Sequence, residues 1–467
     1  MAHTRPATQI QLGGSTRGVS AVLGRNPGLS ALDAGPLVIA PGVSGLVTYT
    51  SSGWLFECRA EFMPSGDLLL WFPANTREYP TQNSHYGGKM QKVNHLYQLR
   101  SKDGGKSWSE ARPAFEIDYN QHGAIPFAPD RPDGYVAHRI GVGVDRNQRA
   151  ARVTAGASVA ADVRSGDPRT APATPHRPRR VFMFGTQPLW VAFGRGSREN
   201  APIGYRYSDD EGQHWSEVHL IRPRNDPEFR GMSVMRMCET QKGTWLLGSH
   251  EADWSYKPLI TCQYILRSED QGATWEVVPD ARHGGWRLTG HGRMDEGRPI
   301  ALADGRVLLM LRTPEGHLWQ SWSEDDGRTW SDPAPSRLIH PDAPPMLFTL
   351  GDRKTLIAFH HNRFHDTNYT GLGGGKLDIM QDRAEIWFST STNGGETWSE
   401  PRFLFTNAAE PDLDTPFRNY QCSYMDAVVR DGTLHLFVPH RWQQVLHLTV
   451  AEDALSSMPT RAELDLP

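Results

Sequence analysis

The stretch Ser323-Glu-Asp325-Asp-Gly327-Arg-Thr-Trp330 decides the fold, because the chain carries this spacing five times. The five copies are 101–108, 208–215, 268–275, 323–330 and 391–398. All five keep the serine, the glycine and the tryptophan; four keep the aspartate, and the last copy has Asn393 in its place. A unit that returns at intervals long enough for several strands is typical of a β-propeller rather than a helical solenoid.

The residues of each copy favour a tight hairpin. A short run with alternating side chains, such as HLWQSW at 317–322, precedes the box and predicts a half-buried strand. Serine and aspartate accept backbone N–H groups at a turn, glycine adopts a positive φ, and tryptophan packs back onto the sheet. Since identical sites in every blade cannot all face one substrate, we expect the boxes to be structural.

Five boxes and one closing blade predict an all-β, six-bladed β-propeller of four-stranded antiparallel blades. The closing blade is expected to combine both chain ends, with LHLTV at 446–450 pairing with LVTYT at 46–50. We expect one domain over residues 1–467. The segment 141–180 is rich in Ala, Arg, Gly and Pro and lacks a strand pattern, which predicts a mobile surface insertion.

Charge and composition narrow the partners. The formal net charge of -4 gives no reason to expect nucleic acid or an anionic membrane surface. The four cysteines are far apart without a CxxC pair, which favours free thiols. No apolar run reaches a membrane span. These features predict a soluble protein, either cytoplasmic or secreted with its signal peptide already removed, and no particular oligomeric state.

The boxes have the S-x-D-x-G-x-T-W form of the Asp boxes, also called BNR repeats, and the chain therefore resembles the sialidase (neuraminidase) superfamily. The resemblance implies a tyrosine nucleophile, a glutamate that activates it, an aspartate acid/base and three arginines that bind the substrate carboxylate. A neutral phenol suits this reaction because an anionic nucleophile would be repelled by the carboxylate on the reacting carbon. Guanidinium groups bind a carboxylate through two parallel hydrogen bonds.

Four residues match the superfamily pattern. Glu296, in MDEGRP, and Arg312, at the end of the next predicted strand, resemble its Glu-then-Arg element. Arg383 stands eight residues before a box serine, where the third arginine is expected. Tyr424, in CSYMD, resembles the nucleophile. Arg293 and Asp295 precede Glu296 closely enough to border the same pocket.

Two positions depart from the pattern. The turn alignment puts Phe56 where the first arginine is expected, and Arg59 lies three residues out of register, which reverses its face in a strand. The position of the acid/base aspartate is occupied by His95, and His85 on the preceding loop is a second candidate. Imidazole works as a general acid near neutral pH without a large pKa shift.

Three functions are compatible with these residues. The leading one is a retaining exo-glycoside hydrolase acting on sialic acid or a related acidic sugar. The alternatives are a lyase or unusual glycosidase for uronic-acid glycans that uses His and Tyr, and a non-catalytic propeller that binds acidic glycans. No cofactor motif is present. The histidines of FHHNRFHD at 359–366 are too loosely spaced to predict a metal site.

Overall fold

The structure is a computed structural model of the 467-residue chain. It describes residues 10–12, 15–17, 30–32, 37–51, 55, 57–74, 94–117, 180–186, 203–217, 219–231, 236–253, 260–280, 284–288, 293–362, 383, 385–407, 422–440 and 444–464. The predicted insertion at 141–180 lies outside these residues apart from Arg180. Its mobility and the single-domain organisation therefore stay predictions.

The described chain is almost entirely β-strand, with one 3₁₀ helix at Glu452–Ser457. In chain order the strands are β1 (Ile10–Leu12), β2 (Ser15–Arg17), β3 (Ser30–Leu32), β4 (Leu37–Ile39), β5 (Ser44–Thr50), β6 (Arg59–Phe62), β7 (Leu68–Ala74), β8 (Asn94–Ser101), β9 (Arg112–Ile117), β10 (Val181–Thr186), β11 (Ile203–Ser208), β12 (His219–Leu220), β13 (Cys238–Glu239), β14 (Trp245–Asp253), β15 (Ile260–Ser268), β16 (Glu276–Val278), β17 (Asp295–Ala301), β18 (Val307–Arg312), β19 (His317–Ser323), β20 (Ala334–Ile339), β21 (Met346–Thr349), β22 (Leu356–His360), β23 (Glu385–Ser391), β24 (Arg402–Asn407), β25 (Asp426–Arg430), β26 (Thr433–His440) and β27 (Gln444–Ala451).

These strands form six antiparallel blades in a propeller, which confirms the predicted fold class. In chain order the blades are β6–β9, β10–β12, β13–β16, β17–β20, β21–β24 and β25–β27 with β5. The second blade shows three strands among the described residues, and β4 and β3 extend the fifth blade at its outer edge. The first strands of neighbouring blades contact one another along β13, β17, β21, β25 and β6, and so surround a common axis.

The last blade closes the ring by joining the two ends of the chain. β27 pairs antiparallel with β5, as expected for these two segments, and Leu446 lies opposite Val47. An N-terminal strand thus becomes the outer edge of a sheet whose other strands are C-terminal. Closure of this kind leaves no long unpaired edge at the seam.

The boxes form the expected hairpins. In the third box the buried Ser268 hydroxyl accepts a hydrogen bond from Gly272 N at 2.7 Å and donates one to Asp270 at 2.8 Å. Gly272 has φ +91°, a conformation that side chains rarely adopt. The Trp275 indole N–H donates to Gly272 O, which folds the ring back onto the blade. The box is therefore a structural unit built within eight residues.

The hydrophobic cores lie between adjacent blades. The largest cluster joins the fifth and sixth blades and includes Trp387, Phe405 and Leu446, all fully buried. The four cysteines are buried free thiols, as predicted. Within the described ranges, no helix is long and apolar enough to cross a membrane.

Candidate functional site

The centre of the candidate site is a hydrogen-bonded group of Tyr424, Glu296 and Arg312. The Tyr424 hydroxyl donates to Glu296 Oε1 at 2.9 Å, and Arg312 Nη1 donates to Glu296 Oε2 at 2.5 Å. Arg312 Nη1 also lies 3.2 Å from the Tyr424 oxygen. All three side chains are more than nine-tenths buried. A phenol, its hydrogen-bond acceptor and a cation therefore meet where water has little access.

Different elements bring these three residues together. Glu296 is the second residue of β17, Arg312 is the last residue of β18, and Tyr424 lies just before β25. Arg312 pairs with Asp295 across β17 and β18, and the register shifts between Asp295 and Arg298. This bulge interrupts the alternation of side chains at Glu296, whose carboxylate contacts Arg312 and Tyr424.

Both Glu296 and Tyr424 have positive φ angles, 47° and 64°. Residues other than glycine rarely adopt this conformation, and it persists only where neighbouring contacts enforce it. Gly297 N donates to the buried Gln263 side chain at 2.7 Å, which fixes the chain after Glu296. Tyr424 O accepts from Cys58 N at 3.2 Å. The backbone around both residues is therefore held by neighbouring blades.

The segment before Tyr424 is also fixed from outside. The Ser423 hydroxyl contacts His361 Nε2 at 2.8 Å, and Cys422 N donates to Arg383 O at 3.1 Å. His361 uses its other ring nitrogen on Glu385 O at 2.8 Å. These contacts tie the segment that carries Tyr424 to the fifth blade, so the phenol has a defined position.

Three arginines surround one buried carboxylate beside this centre. Asp342 Oδ1 accepts from Arg312 Nε at 2.7 Å, and Asp342 Oδ2 accepts from Arg293 Nη1 at 3.1 Å. Arg383 Nη2 donates to the backbone oxygen of Asp342. Arg293 Nε also donates to Asp295 at 2.8 Å. Arg312 and Arg383, both predicted from the sequence, are thus brought together with Arg293.

The neighbouring charges favour the charged form of Arg312. Burial disfavours the charged form of Arg312, but Asp342, Glu296 and other neighbours outweigh it and raise its pKa well above the ordinary value. Burial lowers the pKa of His250, whose imidazole contacts the backbone of Glu296. Its Nδ1 accepts a hydrogen bond from Glu296 N at 3.4 Å, which fits the neutral ring.

A second group of charges lies around Asp426. This fully buried carboxylate accepts from Ala60 N at 2.9 Å and from Arg236 Nη1 at 2.7 Å. Arg298 Nη2 lies 3.8 Å from the other oxygen of Asp426, and the Arg298 guanidinium stacks 4.0 Å from the Phe348 ring centroid. Burial lowers the pKa of Arg298 to about 9, the largest effect on this group.

The other residues predicted from the sequence either make separate contacts or lie outside the described residues. Arg59 is the first residue of β6, where it donates to Cys58 O at 2.7 Å and to Glu57 at 2.6 Å. His95 is the second residue of β8 and pairs with Ala74, but its side chain lies outside the described part, and so does the whole of His85. His365 and Asp366 of the histidine-rich stretch also lie outside it.

The two described histidines of that stretch, His360 and His361, contact other protein groups through both ring nitrogens. His360 contacts Ile339 O and the Ser389 hydroxyl, each at 3.1 Å, and His361 makes the contacts given above. Burial lowers their pKa values to about 4 and about 3. Both rings therefore serve the packing of the fifth blade.

Asp342 and His250 were not predicted from the sequence. Asp342 lies in Pro-Asp-Ala-Pro-Pro, on the link between β20 and β21, which reads as an ordinary turn. His250 lies within β14, where it reads as one side chain of an alternating strand. Neither stretch has a motif, and only the approach of different blades gives these residues their partners.

A family comparison fits this fold. The family model described as a BNR repeat-like domain matches residues 154–436, more than half of the chain. The chain belongs to this family. The superfamily resemblance is therefore confirmed for family and fold. A curated relative, the anhydrosialidase of Macrobdella decora, is 28% identical over 137 residues, which are 28% of this chain and only 17% of that protein.

Solved structures agree on the fold. The Hadza microbial sialidase Hz136 superimposes with a TM-score of 0.54 at 16% identity, covering 88% of this chain and 69% of that one. The Trypanosoma rangeli sialidase, solved with 2,3-difluorosialic acid as a covalent intermediate, has a TM-score of 0.52 at 12% identity, covering 91% and 60%. At such identities the likeness concerns the propeller alone.

Proposed function

We propose that this protein is a retaining exo-glycoside hydrolase that acts on sialic acid or a related sugar bearing a carboxylate. The observation that carries the proposal is the 2.9 Å hydrogen bond between the Tyr424 hydroxyl and Glu296 Oε1 in a buried site beside Arg312. Membership in the BNR repeat-like family and the named sialidase relatives support the same reaction class.

In the first step the Tyr424 oxygen forms a bond to the anomeric carbon while the glycosidic bond breaks. The phenolic proton passes to Glu296 Oε1, which already accepts its hydrogen bond. Arg312 Nη1, 3.2 Å from the phenolic oxygen, stabilises negative charge on that oxygen as the proton leaves. Water then releases the sugar by the reverse sequence, which retains the anomeric configuration.

The other predicted residues complete this proposal. Arg312 and Arg383 are the groups proposed to face the substrate carboxylate, and Arg59 remains a candidate for the first arginine. His95 or His85 is proposed to protonate the leaving oxygen, because imidazole donates a proton near neutral pH.

The nucleophile is tested by trapping. Incubation with 2,3-difluorosialic acid should give a stable adduct, and peptide mass spectrometry should locate it on Tyr424. The Tyr424→Phe variant should form none. Release of the opposite anomer from a natural sialoside would contradict the double displacement. A rise in ultraviolet absorbance on uronic-acid polymers would favour the lyase instead, and a Tyr424→Phe variant without any functional change would favour the binding protein.

The proposed general acid, His95 or His85, is tested with two substrates that differ in their leaving group. Loss of a general acid slows a sialoside with a sugar leaving group by about 10²–10⁴-fold, but affects a nitrophenyl sialoside little because nitrophenolate leaves unaided. We expect this split in either His95→Ala or His85→Ala. Equal losses on both substrates in each variant would exclude both histidines.

A further inference from the structure

Asp342 already binds the arginines that are proposed to face a substrate carboxylate. Its two carboxylate oxygens accept hydrogen bonds from Arg312 and Arg293, and its backbone oxygen accepts one from Arg383. Only 5% of this residue is exposed. One residue on the link between the fourth and fifth blades therefore contacts all three guanidinium groups.

The charges of this cluster are balanced within the protein. Besides Asp342, Arg293 is paired with Asp295, and Arg312 is paired with Glu296. Among the residues that the structure describes, Arg293 and Arg312 are thus ion-paired with three carboxylates. Arg383 donates to the backbone oxygen of Asp342. A further carboxylate from a substrate adds a negative charge that the cluster does not need for neutrality, so its attraction is weakened.

The loop around Asp342 does not allow it to move aside easily. His340 Nε2 lies 3.1 Å from Ala343 O and 3.2 Å from Pro344 O, and His340 N donates to Gly316 O at 2.9 Å. The His340 ring stacks on His361, with centroids 5.0 Å apart. Asp342 is therefore held in place. We call the connected group of Asp342, Arg293, Arg312, Arg383, Glu296 and Tyr424 the arginine-rich floor of the candidate site.

The arginines also favour the ionised form of Asp342. Burial alone would raise its pKa, but Arg293 and Arg312 outweigh burial and hold the pKa well below its ordinary value. Arg312 keeps one terminal nitrogen, Nη2, that donates to no residue in the described part of the chain. That nitrogen is a remaining donor for a ligand at this cluster.

We propose that Asp342 sets the substrate specificity of the site by reducing how strongly the three arginines bind a substrate carboxylate. The wild-type protein then distinguishes weakly between a sugar acid and its uncharged ester. The statement about substrates rests on the proposed function. The statement about anion binding does not, because it concerns Asp342 and the arginines alone.

The first test asks whether a free carboxylate replaces Asp342. Asp342→Ala removes one of the carboxylates that compensate the buried guanidinium groups and should lower the melting temperature. Sodium acetate should restore part of this loss, whereas sodium chloride at the same ionic strength should not. The wild-type protein should show no specific response to acetate. Equal acetate effects on both proteins would overturn the proposal.

Asp342→Asn serves if Asp342→Ala does not fold, because asparagine keeps the size of the side chain and removes only its charge. We expect acetate to raise the melting temperature of Asp342→Asn more than that of the wild type. Asp326→Asn is a matched control. Asp326 lies in the fourth Asp box, is buried, and forms an ion pair with the buried Arg267. An acetate response as large in Asp326→Asn would contradict a role specific to Asp342.

The second test uses a matched pair of substrates, 4-methylumbelliferyl sialoside and its methyl ester, which differ in one charge. The ratio of kcat/KM for acid over ester should be within about 10-fold in the wild type and should rise by about 10-fold or more in Asp342→Asn. A large acid preference in the wild type that is unchanged in the variant would overturn the proposal. If the wild type cleaves neither probe, the proposed function fails, and the acetate experiment still decides the role of Asp342.

Discussion

The Asp boxes and the arginine-rich floor use the same kinds of polar side chain but are built in opposite ways. In a box, Ser101 binds Gly105 four residues away, and Asp103 binds Ser107 four residues away. On the floor, Tyr424 binds Glu296 across 128 residues of chain. The box is therefore complete within one hairpin. The floor exists only when several blades meet, so function depends on closure of the ring.

The largest effect is expected at Tyr424, the proposed nucleophile. Tyr424→Phe keeps the ring but removes the hydroxyl, so kcat/KM for 4-methylumbelliferyl sialoside should fall by about 10³-fold or more. Tyr264→Phe is the matched control, since the Tyr264 hydroxyl also donates to a glutamate, Glu251, at 3.0 Å, but on the third strand of its blade. Similar losses in both variants would show that the effect is structural.

Acid should weaken the seam where the last blade meets the first box. His447 Nδ1 lies 3.1 Å from Gly105 O, its Nε2 lies 3.0 Å from His435, and burial lowers its pKa to about 4. In the unfolded chain this pKa is about 6.5. The unfolded state therefore binds more protons between these values, and stability falls as the pH falls from 6.5 towards 4.

His447 alone contributes at most roughly 3 kcal/mol to this loss, at about 1.4 kcal/mol per pKa unit. His447→Gln should reduce the slope of unfolding free energy against pH, measured by urea denaturation between pH 4 and 7. An unchanged slope in His447→Gln would contradict this assignment.

Disrupting one Asp box should lower the free energy of unfolding and leave kcat unchanged. Ser268→Ala removes the acceptor for Gly272 N inside a buried turn, which should lower the free energy of unfolding by about 1–3 kcal/mol. Ser457→Ala, on the exposed 3₁₀ helix, should change it by less than about 0.5 kcal/mol. Below the melting temperature, kcat should equal that of the wild type in both. A lower kcat in Ser268→Ala would mean that boxes and floor are coupled.

The smallest effect is expected for Arg298, an arginine of the separate group around Asp426 whose ion pair is long. Its nearest carboxylate oxygen is 3.8 Å away, and Asp426 keeps the shorter ion pair with Arg236. Arg298→Met should therefore change the free energy of unfolding by less than about 1 kcal/mol, since a methionine can pack on Phe348 while avoiding the burial of a charge. A loss above about 3 kcal/mol, measured by urea denaturation, would show that the guanidinium is essential to that group.

Most of the fold was predictable because its signals are local. Box spacing gave the number of blades, and the alternation at 46–50 and 446–450 gave the closing pair, which the structure confirms. The resemblance to the sialidases selected Glu296, Arg312 and Tyr424, and these three side chains are hydrogen-bonded to one another in the structure. Their roles in a site stay predictions. His95, His85 and Arg59 also stay predictions.

Sequence by itself determined the repeating hairpins, because each is completed by hydrogen bonds over four residues and a glycine with positive φ. Tertiary structure alone decided the charge state of the floor. Asp342 lies in a plain turn by sequence, and only the packing of the fourth and fifth blades puts its carboxylate between Arg293 and Arg312. Inside a protein, a charge is compensated by whatever lies within a few ångströms, and that neighbourhood is set by the folded chain rather than by adjacency in sequence.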